Sequence, residues 1–255
     1  IIPLKEVYCS FFLLVATIGI VHWVETKNFK FAILSIGGFV AAGFFHGPLF
    51  LGGIIFSIIV FISVFKESIK SLSTFHINLK NLIVITLIFL VLLAYLSNKI
   101  YLPYIGRFET SIDVSVWIQN IKYRMIGEAS YPQWLNVGNT TEFFYKGFFR
   151  ILYFLFSPLP WDVKGLGHLI GMFDGFLYLI LSYFIFRNRK AIWKNPALRI
   201  ILLIFIAYFF AYGIGVSNFG AGVRHRSKFV IEMILLAGPF LPKFIFSNKN
   251  KIKEI

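Results

Sequence analysis

Arg224, His225, Arg226 and Lys228 fall within five residues at the end of the run Ser217-Asn-Phe-Gly-Ala-Gly-Val-Arg-His-Arg-Ser-Lys228. A guanidinium is a planar fork that matches phosphate oxygens, and an ammonium adds a point charge. The stretch therefore predicts an anion site of the diphosphate kind, with Arg224, Arg226 and Lys228 as its donors. Two glycines, Gly220 and Gly222, permit a tight backbone path just before it. The plainer alternative is a set of basic side chains snorkelling to lipid headgroups. His225 lies among the cations and Glu232 is four residues beyond Lys228, so both are candidate catalytic groups for proton transfer. Glu232 has a second reading, as an i,i+4 partner of Lys228 or a partner of Arg224.

Other titratable groups are placed to approach the same region. His46 and His168 fall near the ends of apolar runs, where an imidazole serves as a base near neutral pH or as a satisfied interfacial residue. Asp174 lies deeper in its run and reads as structural or pathway-lining. The segment 98–164 mixes Arg107, Glu109, Asp113, Lys122, Arg124 and Glu128 with Trp117, Tyr123, Tyr131, Trp134 and Trp161. Carboxylates for hydroxyls and aromatic faces for pyranose rings are what a sugar cleft uses. The candidate sugar or acceptor set is therefore His46, Arg107, Glu109, Asp113, Arg124, Trp161 and His168. The sequence holds no P-loop, GxSxG, Rossmann fingerprint or metal-ligand cluster, so neither metal nor cofactor is expected. The lone Cys9 excludes an intrachain disulfide.

The elements that must position these groups are apolar. The 255 residues are 58% hydrophobic, 19% aromatic and only 14% charged, with a mean hydropathy of +0.79. A soluble domain is nearer a quarter charged, so an all-α integral membrane protein is expected. The net charge of +14 fits basic cytoplasmic loops and does not require nucleic acid. Seven transmembrane helices are expected: Val7 to Val24, two from the charge-free stretch Phe31 to Phe65, then Leu82 to Leu96, Leu166 to Phe186, Leu198 to Val216 and Phe229 to Phe246. The second stretch divides at His46-Gly47-Pro48, because proline disfavours helical geometry in the residue before it.

Charge orients the set. The segments 25–30, 66–80, 187–199 and 243–255 hold most of the basic residues, with Arg187, Arg189, Lys190, Lys194 and Arg199 the densest group, and so face the cytoplasm. The chain then starts outside and ends inside, as one polytopic domain over 1–255 with 98–164 as its single large outer loop. Within that loop Asn139-Thr-Thr-Glu142 starts a helix, and the aromatic run Phe143 to Phe156 is too short to cross. It is expected to be an interfacial or re-entrant helix. Because an apolar span follows Ile1 almost at once, further spans are expected upstream, with a cleaved signal peptide as the weaker reading.

Phe44-Phe-His-Gly-Pro48, Ser157-Pro-Leu-Pro-Trp161 before a span, and Asn218-Phe-Gly-x-x-x-Arg-His-Arg226 between the final spans together resemble bacterial oligosaccharide repeat-unit polymerases of the O-antigen type. The resemblance implies a bacterial inner-membrane glycosyltransferase that moves a growing glycan from undecaprenyl diphosphate to the next lipid-linked unit at the outer face. It implies Arg224 and Arg226 at the leaving diphosphate. The partners implied are the polyprenyl-diphosphate-linked glycan, membrane lipid and a chain-length regulator. A GT-C-like polyprenyl-phosphate-sugar transferase, a ligase and a flippase or transporter remain alternatives.

Overall fold

The computed structural model of the chain describes residues 3–72, 113–125, 127 and 129–241, with single positions between 83 and 97. Arg107, Glu109, Glu128, most of the expected span Leu82 to Leu96 and the basic carboxyl-terminal tail lie outside the described residues. The elements are α1 (Pro3–Thr26), α2 (Phe29–Phe45), α3 (Phe50–Leu72), α4 (Val114–Arg124), α5 (Thr140–Phe156), α6 (Leu166–Arg187), α7 (Arg189–Lys194), α8 (Pro196–Gly215), α9 (Phe219–Arg226) and α10 (Val230–Ala237). Among the described residues there is no strand. A single antiparallel bridge ties Ser130 to Asn218.

Four helical segments among the described residues are long and apolar enough to cross a membrane: Lys5–Thr26, Gly47–Glu67, Leu166–Arg187 and Pro196–Gly215. The described residues thus fit an all-α membrane protein by helix length and composition. Phe29–Phe45 is apolar but shorter. The last expected span begins as α10, whose eight residues give way to a 3-10 turn at Gly238–Phe240. The described residues thus hold four helices of spanning length against the seven crossings expected.

Helix ends follow local chemistry. Asn28, Asp113, Asn139, Asn195 and Asn218 each cap a helix through their side-chain oxygens. At Asn139, Glu142 reaches back as a capping box does, but its Oε2 accepts from Gly138 N–H at 2.7 Å and also holds Lys146 at 3.0 Å. The long apolar stretch breaks at His46, and Gly47–Leu49 forms a 3-10 turn that reverses the chain. α1 and α2 then run side by side in close contact. A Cβ on Gly19 would lie 2.8 Å from Ser35 N, and one on Gly38 would lie 2.9 Å from Phe12 O. This hairpin brings the start of α1 and the α2–α3 turn to the same end of the bundle.

α5 is the unusual element. It packs between α8 and α6, with Gly147 against Ile214, Gly213 against Ile151, and Gly175 directly beneath the carbonyl of Phe156. Gly175 is nine residues into α6, so α5 penetrates about 13 Å below the start of that helix at 1.5 Å per residue. It stops there, and Ser157 to Lys164 returns the chain to the start of α6. A helix that ends inside an apolar layer leaves its last carbonyls without partners.

Arg226 meets that need. Its guanidinium is fully buried and donates to the carbonyls of Phe154 (3.3 Å), Leu155 (3.2 Å) and Ser157, to Gly171 O on α6 (2.9 Å) and to Asp174 Oδ2 (2.6 Å). Asp174 is thus the counter-ion of a structural cap. Arg150, also fully buried, does the same for the end of α8. It donates to Ile214 O (2.9 Å), Val216 O (2.7 Å), Ser217 Oγ (2.7 Å) and Leu135 O (2.9 Å). Breaking the Arg226–Asp174 pair by removing one buried partner costs about 3–5 kcal/mol, and removing Arg150 leaves buried carbonyls unmet at about 1–3 kcal/mol each. Arg226→Ala and Arg150→Ala should each lower the melting temperature of the detergent-purified protein sharply, while Arg224→Ala leaves it near that of the parent. An unchanged melting temperature in Arg226→Ala would show that the cap is dispensable.

Candidate active site

Five elements deliver polar side chains to one end of the bundle. α1 supplies Glu6, the α2–α3 turn supplies His46, the last turn of α8 supplies Tyr212, α9 supplies Arg224 and His225, and the 3-10 turn Ser227–Phe229 supplies Lys228. Lys228 Nζ lies 2.9 Å from Glu6 Oε2 and 2.7 Å from His225 Nδ1. The Glu6 contact is an ion pair by distance and not an aligned hydrogen bond, since Oε2 has no hydrogen-bond partner. The His225 ring meets the His46 ring edge to face at 4.8 Å, and His46 Nδ1 is 2.7 Å from the Tyr212 hydroxyl. Lys228 also stands over the Tyr212 ring at 5.5 Å. Arg224 is exposed and reaches Glu6 Oε1 at 3.5 Å.

The order of these groups fixes their protons. A charged Lys ammonium only donates, so His225 Nδ1 accepts and its ring proton sits on Nε2. His225 accordingly offers an N–H and not a lone pair. Burial, reinforced by the Lys228 charge, holds its protonated form far below the ordinary histidine range. The same two causes push His46 down to about 3. Burial also pulls Lys228 down, opposed by Glu6. Both imidazoles are therefore neutral at physiological pH, and neither Nε2 makes a hydrogen bond among the described residues.

The site expected from sequence is partly assembled and partly dispersed. His46, Arg224, His225 and Lys228 come together, but Lys228 is buried and occupied by Glu6 and His225. Arg226 is not a diphosphate ligand in this fold, because its donors are spent on backbone carbonyls and Asp174. Glu232 pairs with neither Lys228 nor Arg224 and does not face the cluster. It is buried among Thr17, Tyr208 and apolar side chains on the far side of α10. Asp113 caps α4 through Ser115 N–H at 2.8 Å. Arg124 is exposed, with Nη1 3.5 Å from Gly215 O. His168 packs on Phe219, and its Nδ1 lies within 3.2 Å of Lys164 N and 3.1 Å of Asp162 O, away from His225. Trp161 is 74% exposed, and its Nε1 donates to the Tyr153 hydroxyl at 3.4 Å. Trp134, half exposed, packs edge-on against the same Tyr153.

Sequence reasoning missed Glu6 and Tyr212. Glu6 had a usable signal, an acid at the amino-terminal end of the first apolar run, which the seven-span reading puts on the same side as the basic run. Tyr212 had none, being one aromatic among many. Among the described residues no group of His, Cys, Asp and Glu is arranged as a metal site.

Beside the cluster an apolar groove of about 340 Å3 runs along α8. Ala207, Phe210, Ala211 and Ile214 form its floor on one helical stripe, and Leu51, Trp117 and Phe143 form its walls. Arg124 stands at its end nearest the cluster, next to Gly215.

The low basicity of the histidines has a measurable sign. The unfolded chain takes up these protons near pH 6.5 and the folded chain does not, so stability should fall as pH drops from about 6.5 toward about 3 and stay flat above. In 15N-histidine NMR, His225 should remain neutral through the physiological range. Lys228→Met should move its titration upward, because the repelling ammonium is gone. A His225 titrating at the ordinary histidine value in the parent would contradict this geometry. No family model, curated protein or solved structure matches the chain.

Proposed function

We propose that the protein is a membrane glycosyltransferase that polymerises polyprenyl-diphosphate-linked oligosaccharide units, with Arg224, His225 and His46 at its reaction centre. The observation that carries this reading is the conjunction of a cationic, imidazole-bearing cluster with an apolar groove at the same end of α8. An amphipathic substrate with an anionic head and a hydrocarbon tail needs both within reach of each other. The exposed rings of Trp134 and Trp161, both held against Tyr153, add a stacking surface for sugar rings.

In this scheme Arg224 and the Nε2–H of His225 stabilise charge developing on the leaving diphosphate, with Arg124 near the groove end. The acceptor hydroxyl oxygen bonds to the anomeric carbon as the bond from that carbon to the diphosphate oxygen breaks. Polyprenyl diphosphate departs, and the hydroxyl proton passes to His46 Nε2. For that role His46 donates its Nδ1–H to Tyr212, which leaves Nε2 as an acceptor. The bound diphosphate opposes the field of Lys228 and raises the basicity of His46 toward the working range. Seven crossings, a bacterial inner-membrane location, a site at the outer face, a cytoplasmic carboxyl terminus and a chain-length regulator as partner belong to the same proposal.

The test is genetic and chemical. Deletion should remove long surface polysaccharide while single lipid-linked units accumulate. Arg224→Ala and His225→Ala should reproduce that phenotype at normal protein level, with losses of the order of 100-fold or more, as for removal of one charge-stabilising donor. Normal polymer in both variants would reject the assignment. Loss of every unit on its final carrier would indicate a ligase or an earlier step instead.

A further inference from the structure

At the end of the bundle away from the polar cluster, α6, α7 and α8 carry five cations: Arg187, Arg189, Lys190, Lys194 and Arg199. α8 reaches the cluster with its last turn, so Arg199 in its opening turn lies at the far end. α1 measures the separation. Glu6 and Thr26 stand near its two ends, about 30 Å apart at 1.5 Å per residue, which is the thickness of a hydrocarbon core. No Asp or Glu occurs between Asp174 and Glu232. Elsewhere Arg224, Arg226, Lys228 and Lys146 each meet a carboxylate. Among the described residues none of these five does, although Glu25 on α1 and Glu67 on α3 lie at the same end.

The arginines are held in place without being neutralised. Arg187 Nη1 donates to the Tyr183 hydroxyl at 3.1 Å. Arg189 Nη1 donates to Phe186 O at 3.0 Å, and its guanidinium covers the Phe186 ring at 4.4 Å. Arg199 stands over the Trp193 ring at 5.9 Å. Ile192, fully buried, pins α7 to the bundle, while Tyr183, Phe186 and Trp193 are each more than half exposed. Exposed rings beside cations at the end of an apolar helix suit the layer where hydrocarbon meets headgroups. Arg199 also faces the positive end of the α8 dipole, and that first turn holds no acid to offset it.

We propose that this patch binds the headgroup phosphate of an anionic phospholipid. Arg187, Arg189 and Arg199 donate to its oxygens, and Lys190 and Lys194 add charge. The exposed rings cover the first carbons of its acyl chains. A soluble anion would satisfy the cations and leave those rings uncovered, whereas a phospholipid meets both. Because the donors come from the end of α6, the start of α7 and the start of α8, one headgroup clamps the two long helices across their connection. The inference rests on the bundle lying in a bilayer and not on the transferase reading.

The experiment uses the full chain reconstituted into vesicles of mixed phosphatidylcholine and phosphatidylglycerol, without glycan. One of the two lipids carries bromine on its acyl chains near the headgroup, where it quenches tryptophan fluorescence on contact. The quenching lost in Trp193→Phe reports the patch. That part should be several-fold stronger when the bromine is on phosphatidylglycerol than when it is on phosphatidylcholine at equal fraction. The Arg187→Gln, Arg189→Gln double variant should bring the ratio close to one, and so should Arg199→Gln alone. Lys164→Gln, which removes one exposed charge at the opposite end, should leave it as in the parent. Excess inorganic phosphate should not change it. Equal quenching by the two lipids in the parent would overturn the proposal, leaving the cations to orient the chain only. A ratio unchanged in both arginine variants would overturn it as well. Loss of the preference to inorganic phosphate would do the same, since the ligand would then be a soluble anion.

Discussion

Two helices of this protein end in buried surroundings, and two buried arginines complete them. α5 stops beside Gly175 and α8 stops at Val216, and the carbonyls left open there accept from Arg226 and Arg150 respectively. A guanidinium suits this task because its five N–H groups spread in a plane and reach several carbonyls at once. Each arginine joins elements far apart in sequence: Arg226 fastens α9 to α5 and α6, and Arg150 fastens α5 to the α8–α9 junction. The polar cluster at the bundle end is built on this bracing. Its members come from α1, the α2–α3 turn, α8, α9 and the following turn, and the contacts of Arg224, His225 and Lys228 depend on α9 staying in place.

The same basic run therefore serves two purposes, separated by helical phase. At 3.6 residues per turn, neighbours two apart lie on nearly opposite faces. Arg226 accordingly points into the bundle while Arg224 points out. Arg224 and Lys228, four apart, return to a common side, and both reach Glu6. His225 and Lys228, three apart, are close enough for Nδ1 and Nζ to meet at 2.7 Å. The sequence shows four cationic or imidazole residues in a row of five. The fold turns them into one exposed guanidinium, one oriented imidazole, one internal ion pair and one structural cap.

Much of this is legible in the sequence. The break at His46-Gly47-Pro48 was readable from proline sterics, and the start of α5 from Asn139 and Glu142. The proximity of His46 to His225 followed from putting both at the same end of the spans. The division of labour among the arginines was not legible, because burial of a basic side chain depends on where another helix happens to end. Glu232 shows a different limit. The i,i+4 rule places it beside Lys228, but Ser227–Phe229 is a 3-10 turn, and its 3.0 residues per turn rotate everything after it relative to α9. Asp113 reads as a sugar ligand by composition, yet its position just before Val114-Ser115 makes it a helix cap.

The arrangement also explains why the cluster can hold two neutral histidines next to an ammonium. Lys228 is anchored from the other side by Glu6, which holds the ammonium in place beside His225 while its charge still disfavours a protonated imidazole. The imidazole also receives a hydrogen bond from it, which selects the tautomer with its proton on Nε2. His46 is a step further from the ammonium and shares its Nδ1 with a hydroxyl that can either give or take a proton. Of the two rings, only His46 keeps the freedom to change which nitrogen is protonated. An anion arriving at Arg224 would find a fixed donor and a convertible base side by side, which is the asymmetry that proton transfer to a leaving or attacking oxygen requires.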